Sequence, residues 1–255
     1  MNRLAERSLV VTGATGIAAA GADRFAREGG TVFVISLRRQ DCEMLVSSLP
    51  GAGHGFATAD LADEPATEAA FAAATEHLDK LDGLFAVAGG SGRADGDGPA
   101  AAIPLAGWEA TLDRNLTTTF LAMREALRRM GPGGSVVVVS SVLADHPSAR
   151  FSTHAYAAAK GAQLALVRAA AAHYATAGIR INALQPGLVR TPMSERAQAD
   201  SETMSYIARK QPLTGGIVEA ADVAAAAAFL LSDDARTITG QALAVDGGWS
   251  VTEAE

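Results

Sequence analysis

Leu9-Val-Val-Thr-Gly-Ala-Thr-Gly-Ile17 reads as an apolar strand that runs into a glycine-bearing turn and then opens a helix. Gly13 and Gly16 allow the backbone to come close to a pyrophosphate, whose charge then rests at a helix N-terminus. A glycine pair by itself also makes an ordinary tight turn. Its weight here comes from its place at the end of the first strand of a βαβ series. Farther along, a strand ending at Ala88 meets Gly89-Gly90, a second point where backbone can lie against a ligand.

Outward from that turn, apolar runs of strand length alternate with longer alanine-rich stretches of helical period. Strands are expected at Ser8–Thr12, Thr31–Ser36, His54–Thr58, Gly83–Ala88, Ser135–Ser140 and Ile179–Leu184, with a seventh at Ala242–Val245. Helices are expected at Ile17–Glu28, Gln40–Ser48, Pro65–Leu78, Gly107–Met130, Thr153–Ala177 and Glu219–Leu231. Strands that are apolar without a polar alternation suit a sheet buried on both faces. The pattern predicts an α/β, Rossmann-type doubly wound fold, a seven-stranded parallel sheet with helices on both faces. No Pro-, Gly- or charge-rich linker divides the chain, so residues 1–255 are expected to form a single domain. Two irregular stretches, Gly89–Pro104 and Gln185–Ser201 with the short helix after it, are long enough to carry function, the second as a substrate loop or lid at about residues 185–212.

The balance of 28 carboxylates against 21 Lys and Arg argues against nucleic acid as a partner, which needs clustered positive charge. The single Cys42 excludes an intramolecular disulfide and a thiolate metal cluster, and fits a reducing cytoplasm. The five histidines lack zinc-site spacing, so no metal is expected. The apolar run Val223–Leu231 is half a membrane span, and no membrane association is expected.

Tyr156 and Lys160 stand four residues apart on an expected helix, so both side chains leave one face. A phenol loses its proton near pH 10, and a neighbouring ammonium favours the phenolate. Such a pair can move a proton to or from an alcohol or carbonyl oxygen. An exposed Tyr and Lys on an alanine-rich helix is the bland alternative on spacing alone.

Together these segments resemble the short-chain dehydrogenase/reductase family in its single-domain form, over nearly the whole chain. Thr12-Gly13-Ala-Thr15-Gly16-Ile17 looks like its nucleotide-binding turn, and Asp60-Leu61 falls where an Asp and an apolar residue hold the adenine. Ala88-Gly89 ends the fourth strand, and Arg114-Asn115-Leu116 resembles the segment with the catalytic Asn. Ser140-Ser141 ends the fifth strand, ahead of Tyr156-Ala-Ala-Ala-Lys160. Asn182-Ala-Leu-Gln-Pro186-Gly187, with Val189 and Thr191, resembles the nicotinamide-side loop, and Thr239–Gly248 the C-terminal strand. The resemblance implies an NAD(P)-dependent oxidoreductase acting between a secondary alcohol and a ketone. Tyr156 would be the general acid/base, Lys160 would lower its pKa and hold the nicotinamide ribose, Ser141 would bond the substrate oxygen, with Ser140 ranked second, and Asn115 would hold a proton-relaying water. It also implies a homotetramer or homodimer built on the helices at 107–130 and 153–177. A catalytically silent dinucleotide-sensing or scaffold protein of the same fold is the competing reading.

The chain departs from the family pattern at three places. The glycine turn is one residue short, and Ala18 and Ala19 follow where a third glycine is usual. Ala86-Val87-Ala88-Gly89 replaces Asn-Asn-Ala-Gly, which removes a polar strut, and Asp145–Thr153 is expected to be a longer substrate-side loop. At the end of the second strand Ser36 stands where an NAD-type Asp would be, and Arg38 and Arg39 follow Leu37. NADP(H) is therefore favoured over NAD(H), since an arginine there attracts a 2′-phosphate. His146 and His154 are expected in surface loops, and Met193, Met204, Tyr206 and Ile207 as an apolar lid.

Overall fold

The computed structural model describes residues 2–253. The strands are β1 (Ser8–Thr12), β2 (Thr31–Ser36), β3 (Gly55–Thr58), β4 (Gly83–Ala86), β5 (Ser135–Val139), β6 (Arg180–Pro186), β7 (Val189–Arg190), β8 (Val218–Glu219) and β9 (Ala242–Val245). The helices are α1 (Ile17–Arg27), α2 (Arg39–Ser48), α3 (Glu64–Leu78), α4 (Leu105–Leu112), α5 (Thr118–Leu127), α6 (His154–Tyr174), α7 (Glu195–Gln198), α8 (Ser201–Lys210) and α9 (Ala220–Leu231). Seven strands form one parallel sheet in the order β3-β2-β1-β4-β5-β6-β9, as expected for a Rossmann-type α/β fold. β7 and β8 pair with each other in a second, two-stranded sheet that the sequence did not announce. The strand order turns back beside β1, where Thr12 is in register with Ile35 on one side and Ala86 on the other. Open parallel sheets bind ligands in the crevice at such a switch point, beyond the C-terminal strand ends.

Side chains alternate across the sheet and fill two cores. Leu9, Val11, Val34 and Phe85 pack with α1 and α9, while Val10, Ile35, Leu84 and Val136 pack with α3, α5 and α6. Small residues allow the helices to lie close. A Cβ on Gly21 of α1 would stand 2.6 Å from the Phe85 ring, which also meets Phe25 edge-on at 5.4 Å. A buried side chain of this size is worth roughly 1.5–3 kcal/mol, so this contact helps fix the tilt of α1 and with it the turn at its N-terminus.

Several boundaries differ from the sequence expectation, each for a local reason. The long helix expected over 107–130 is broken: α4 and α5 are joined by one π-type turn, Asp113–Thr117. β4 stops at Ala86 because the next two N–H groups, of Val87 and Ala88, donate to Thr12 Oγ1 at 2.9 and 3.1 Å. β3 begins at Gly55 because His54 turns its ring Nδ1 to accept from Val32 N at 3.1 Å. β6 runs on to Pro186, which pairs in register with Val245 of β9.

Candidate active site

The first turn of α6 is built by a distant residue. Asp97, buried in the loop after β4, accepts from Ala155 N at 2.9 Å and from Tyr156 N at 3.0 Å, one bond to each carboxylate oxygen. That satisfies two of the orphan donors at the helix start. Gly98 O and Ala100 N bond to His154 beside it, which fastens the loop to the helix. Tyr156 and Lys160 follow on one face, with Lys160 Nζ 5.5 Å from the centre of the phenol ring. Both line a cleft at the switch point.

Burial acts on the two groups in opposite directions. It pushes the Tyr156 phenol up to about 12, against a smaller downward pull from the Ser141 hydroxyl. It pulls Lys160 down to about 7. Lys160 Nζ donates to Val139 O at 2.8 Å. The expectation that the ammonium lowers the phenol pKa does not hold in this state. Desolvation disfavours both charges, and Lys160 is turned to a strand carbonyl.

Of the two serines, Ser140 is committed to the scaffold through a bond from its Oγ to Lys160 O at 2.8 Å. Ser141 lines the cleft and accepts from Leu143 N at 3.2 Å, while its hydroxyl acts on Tyr156 and is placed to serve a ligand oxygen.

Opposite this pair lies the glycine turn. Gly13 adopts φ +96° and Gly16 φ +55°, the left-handed region that glycine reaches without strain. A Cβ on Gly13 would come within 3.2 Å of the Ala18 methyl, and one on Gly16 within 3.0 Å of Thr191. The shortened turn thus closes by packing Ala18, itself only 1% exposed, against a glycine with no side chain. Thr15 and Ile17 also line the cleft, whereas Thr12 lies behind it. Thr12 does the work of the missing polar strut, as its hydroxyl accepts from both Val87 N and Ala88 N.

Ala88 and Gly89 face the cleft, and Asn115 stands behind them, fully buried. Its amide accepts from Gly90 N at 3.1 Å and donates to Gly90 O at 3.0 Å and Thr111 O at 2.9 Å. A Cβ on Gly89 would sit 2.6 Å from Asn115 Oδ1, so the loop closes on the amide only because that residue is glycine. The Asn115 carbonyl, freed by the π-type turn, accepts from Thr119 Oγ1 at 2.8 Å and Gln163 Nε2 at 2.9 Å. Its side chain thus ties the Gly89–Gly90 loop to α4, and its carbonyl ties the π-type turn to α5 and α6.

The residues expected at the adenosine end sit apart from the cleft, at the neighbouring ends of β2 and β3. Ser36 is half-buried and Leu37 exposed. Arg38 reaches Asp41 at only 3.6 Å, while Arg39 is held by Glu43 at 2.8 Å and lies 5.4 Å from the Phe56 ring centre. Asp60 is exposed and accepts from Ala62 N at 2.9 Å in its own turn, with Leu61 buried next to it.

The other wall comes from the segment after β6. Pro186, Gly187, Val189 and Thr191 all line the cleft. Gln211, completely buried, clamps this segment: its Oε1 accepts from Leu188 N at 2.6 Å and its Nε2 donates to Gly216 O at 2.6 Å. A side chain at Gly187 would collide with Gln211 Oε1. An apolar floor is formed where Val142, Ile207 and Trp249 pack with Leu143, Phe151 and Leu188. Of the residues expected as a lid, Ile207 and Tyr206 pack into this floor and Met193 lines the cleft, whereas Met204 does neither. The longer 145–153 loop is clasped from two sides, by Trp249 Nε1 to His146 O at 3.0 Å and by Ser148 Oγ to Tyr206 Oη at 2.8 Å. Both His146 and His154 are exposed, as expected. Trp249, Asp97 and Gln211 escaped the sequence reading. Only Trp249 carried a signal, a large aromatic just past the last strand.

Among the described residues no cluster of His, Cys, Asp or Glu could hold a metal ion, and no helix is long and apolar enough to cross a membrane. A nicotinamide dinucleotide fits what is present. The positive-φ glycines line the cleft, with Gly13 and Gly16 packed too closely for a Cβ, and Tyr156, Lys160 and Ser141 line the same cleft.

This fold and site define a Rossmann-type oxidoreductase. A family model described as "Enoyl-(Acyl carrier protein) reductase" matches residues 11–250. The chain is 38% identical over 251 residues to the cis-4-hydroxycyclohexanecarboxylate dehydrogenase of Sinomonas cyclohexanicum, covering 96% of this chain and 97% of that protein. It is 32% identical over 255 residues to the 2,5-dichloro-2,5-cyclohexadiene-1,4-diol dehydrogenase LinX of Sphingobium indicum, covering 98% of both. A short-chain type dehydrogenase/reductase from Mycobacterium ulcerans superposes with a TM-score of 0.91 at 30% identity, over 98% of this chain and 92% of that one. The chain belongs to the short-chain dehydrogenase/reductase family, whose members bind nicotinamide cofactors.

Proposed function

We propose that this protein interconverts an alicyclic secondary alcohol and its ketone, with NADP(H) favoured over NAD(H). The observation that carries the reading is the meeting of Tyr156, Lys160 and Ser141 in one cleft with the positive-φ glycines of the β1–α1 turn. A bound cofactor supplies or accepts the hydride at its nicotinamide. Ser141 donates to the substrate oxygen and stabilises charge developing there. Tyr156, protonated at neutral pH, gives its proton to that oxygen during reduction and takes it back during oxidation. Lys160, whose pKa burial lowers to about 7, would return a proton to the phenol and would hold the ribose of a bound cofactor. Asn115 holds the Gly89–Gly90 wall in place.

The ring preference draws on two relatives whose names specify hydroxylated cyclohexane and cyclohexadiene substrates, and on the apolar floor of Val142, Leu143 and Trp249. The cofactor preference draws on Ser36, which does not repel a phosphate as a carboxylate would, and on the weakly paired, exposed Arg38. The whole chain would act as one domain, with residues 185–212 as a lid, and would assemble as a homotetramer or homodimer. A single buried Cys42 is in keeping with the reducing cytoplasm.

A screen of cyclic alcohols and ketones with NADPH and NADH, followed at the nicotinamide absorbance, tests the reading. Turnover of ring substrates and tighter NADPH binding are expected, with the gap narrowed by Arg38→Ala together with Arg39→Ala. Tighter NADH binding by the wild type would reverse the cofactor assignment. Binding of neither cofactor at millimolar concentration would end the oxidoreductase reading and favour a silent scaffold.

A further inference from the structure

Two arginines converge on the cleft from separate segments. Arg93 lies in the short turn Gly92–Asp95 after β4, and Arg196 in α7, within the segment proposed as a lid. Both side chains line the cleft that holds Ser141 and Tyr156. Among the described residues, neither finds a side-chain hydrogen bond or ion pair. Elsewhere in this chain arginines are tied to partners, as Arg114 is to Asp95 and Arg190 to Glu219. Among the described residues only Arg168 and Arg236 share the unpaired state of Arg93 and Arg196, and neither of those lines the cleft.

Among the described residues the carboxylates nearby form no ion pair with these two cations. Asp95 is held by Arg114 at 2.7 Å, and both oxygens of Asp97 accept from the first turn of α6. Burial and the positive charge of Arg196 both push the Arg93 pKa down, with Asp97 opposing them. Two like charges brought together without a shared counter-ion repel each other, and an anion between them removes that repulsion. In a chain with 28 carboxylates against 21 basic residues, such a pair is an unusual concentration of free positive charge.

The position favours a substrate anion over a cofactor phosphate. Arg93 stands in the turn whose Gly92 O accepts from Asp97 N at 3.0 Å, and Asp97 in turn accepts from Tyr156 N, which links Arg93 to the helix start that carries the proton-transfer residue. The glycine turn already offers a backbone cradle of its own for a phosphate, with Thr191 packed on Gly16. The same cleft is lined by the apolar floor of Val142, Leu143 and Trp249, which suits a hydrocarbon body.

Resting on the function proposed above, we infer that Arg93 and Arg196 form an anion clamp at the cleft mouth that selects alicyclic alcohols or ketones bearing a carboxylate. A guanidinium grips a carboxylate through two parallel N–H bonds, so two of them fix its orientation as well as its charge.

The test compares 4-hydroxycyclohexanecarboxylate with its methyl ester at saturating cofactor. The wild type should prefer the acid by tenfold or more in kcat/KM. Arg93→Gln and Arg196→Gln should each cut that preference at least tenfold through KM, with the KM for cofactor moving less than threefold. Equal use of acid and ester by the wild type would overturn the clamp. So would variants that weaken the cofactor and leave the acid-to-ester ratio intact, since the arginines would then serve a phosphate. If neither compound is turned over, cyclohexanecarboxylate is titrated calorimetrically into cofactor-loaded protein. Binding lost in the double variant upholds the clamp while the reading as an alicyclic alcohol oxidoreductase falls, and no binding to wild type overturns the clamp.

Discussion

Tyr156 and Lys160 are each shaped by burial more than by the other. The phenol is held neutral far above neutral pH and the ammonium is weakened to about 7. Tyr156→Phe removes only the proton-bearing oxygen, so turnover should fall by at least 10²-fold while dinucleotide binding stays within a few-fold. Steady-state rates and calorimetry decide this, and a variant retaining more than about a tenth of the wild-type rate would refute the general-acid role. Lys160 has a consequence for stability. Its pKa is near 7 when folded and 10.5 when unfolded, so between those values the unfolded chain binds more protons and stability rises with pH. A tenfold loss of proton affinity on folding is worth about 1.4 kcal/mol, and at 4% exposure Lys160 has little water to soften that cost. Lys160→Met should therefore raise Tm at pH 6, and the gain should shrink toward pH 10. Thermal melts across that range test it, and a gain that grew with pH would contradict the assignment.

At the scale of elements, the site depends on turns that hold strand ends against helix starts. The β1–α1 turn needs Gly13 at φ +96°, and a methyl group there would press on Ala18 at 3.2 Å. Gly13→Ala should cost about 1–2 kcal/mol of stability, the left-handed penalty of an L-residue, and weaken dinucleotide binding by tenfold or more. Denaturant melts and calorimetry measure the two effects separately. A variant that binds cofactor as tightly as wild type would mean that the backbone there does not approach the ligand. The π-type turn at Asp113–Thr117 and the Asp97 cap on α6 belong to this scale too. Neither was legible in the sequence. A π-type turn has no residue pattern of its own, and Asp97 bonds Ala155 N from 58 positions away in the chain.

For the whole molecule, apolar surface is left uncovered on the helices proposed to pair across a two-fold. Leu105 is 70% exposed, Phe120 43% and Trp108 37%, all on α4 or α5. A closed symmetric assembly would bury them. Light scattering should give a multiple of the 26.0 kDa chain mass, and Phe120→Glu should lower it without changing the circular dichroism. A wild type that runs as a monomer would refute the assembly.

By itself the sequence determined the alternation of strands and helices, the parallel sheet they build, the glycine turn and the shared face of Tyr156 and Lys160. These follow from periods of two and 3.6 residues and from the φ values open to glycine, all properties of a few neighbouring residues. Both serines line the cleft, and only the tertiary structure decided which hydroxyl is spent on the scaffold, because Ser140 donates to Lys160 O of a packed helix. It also decided that Lys160 rests on Val139 O, that Gln211 and Trp249 brace the far wall, and that Arg93 and Arg196 share one opening. Those outcomes depend on which distant segments are packed together and how much water they exclude, and desolvation and Coulomb forces act on distances in space rather than along the chain.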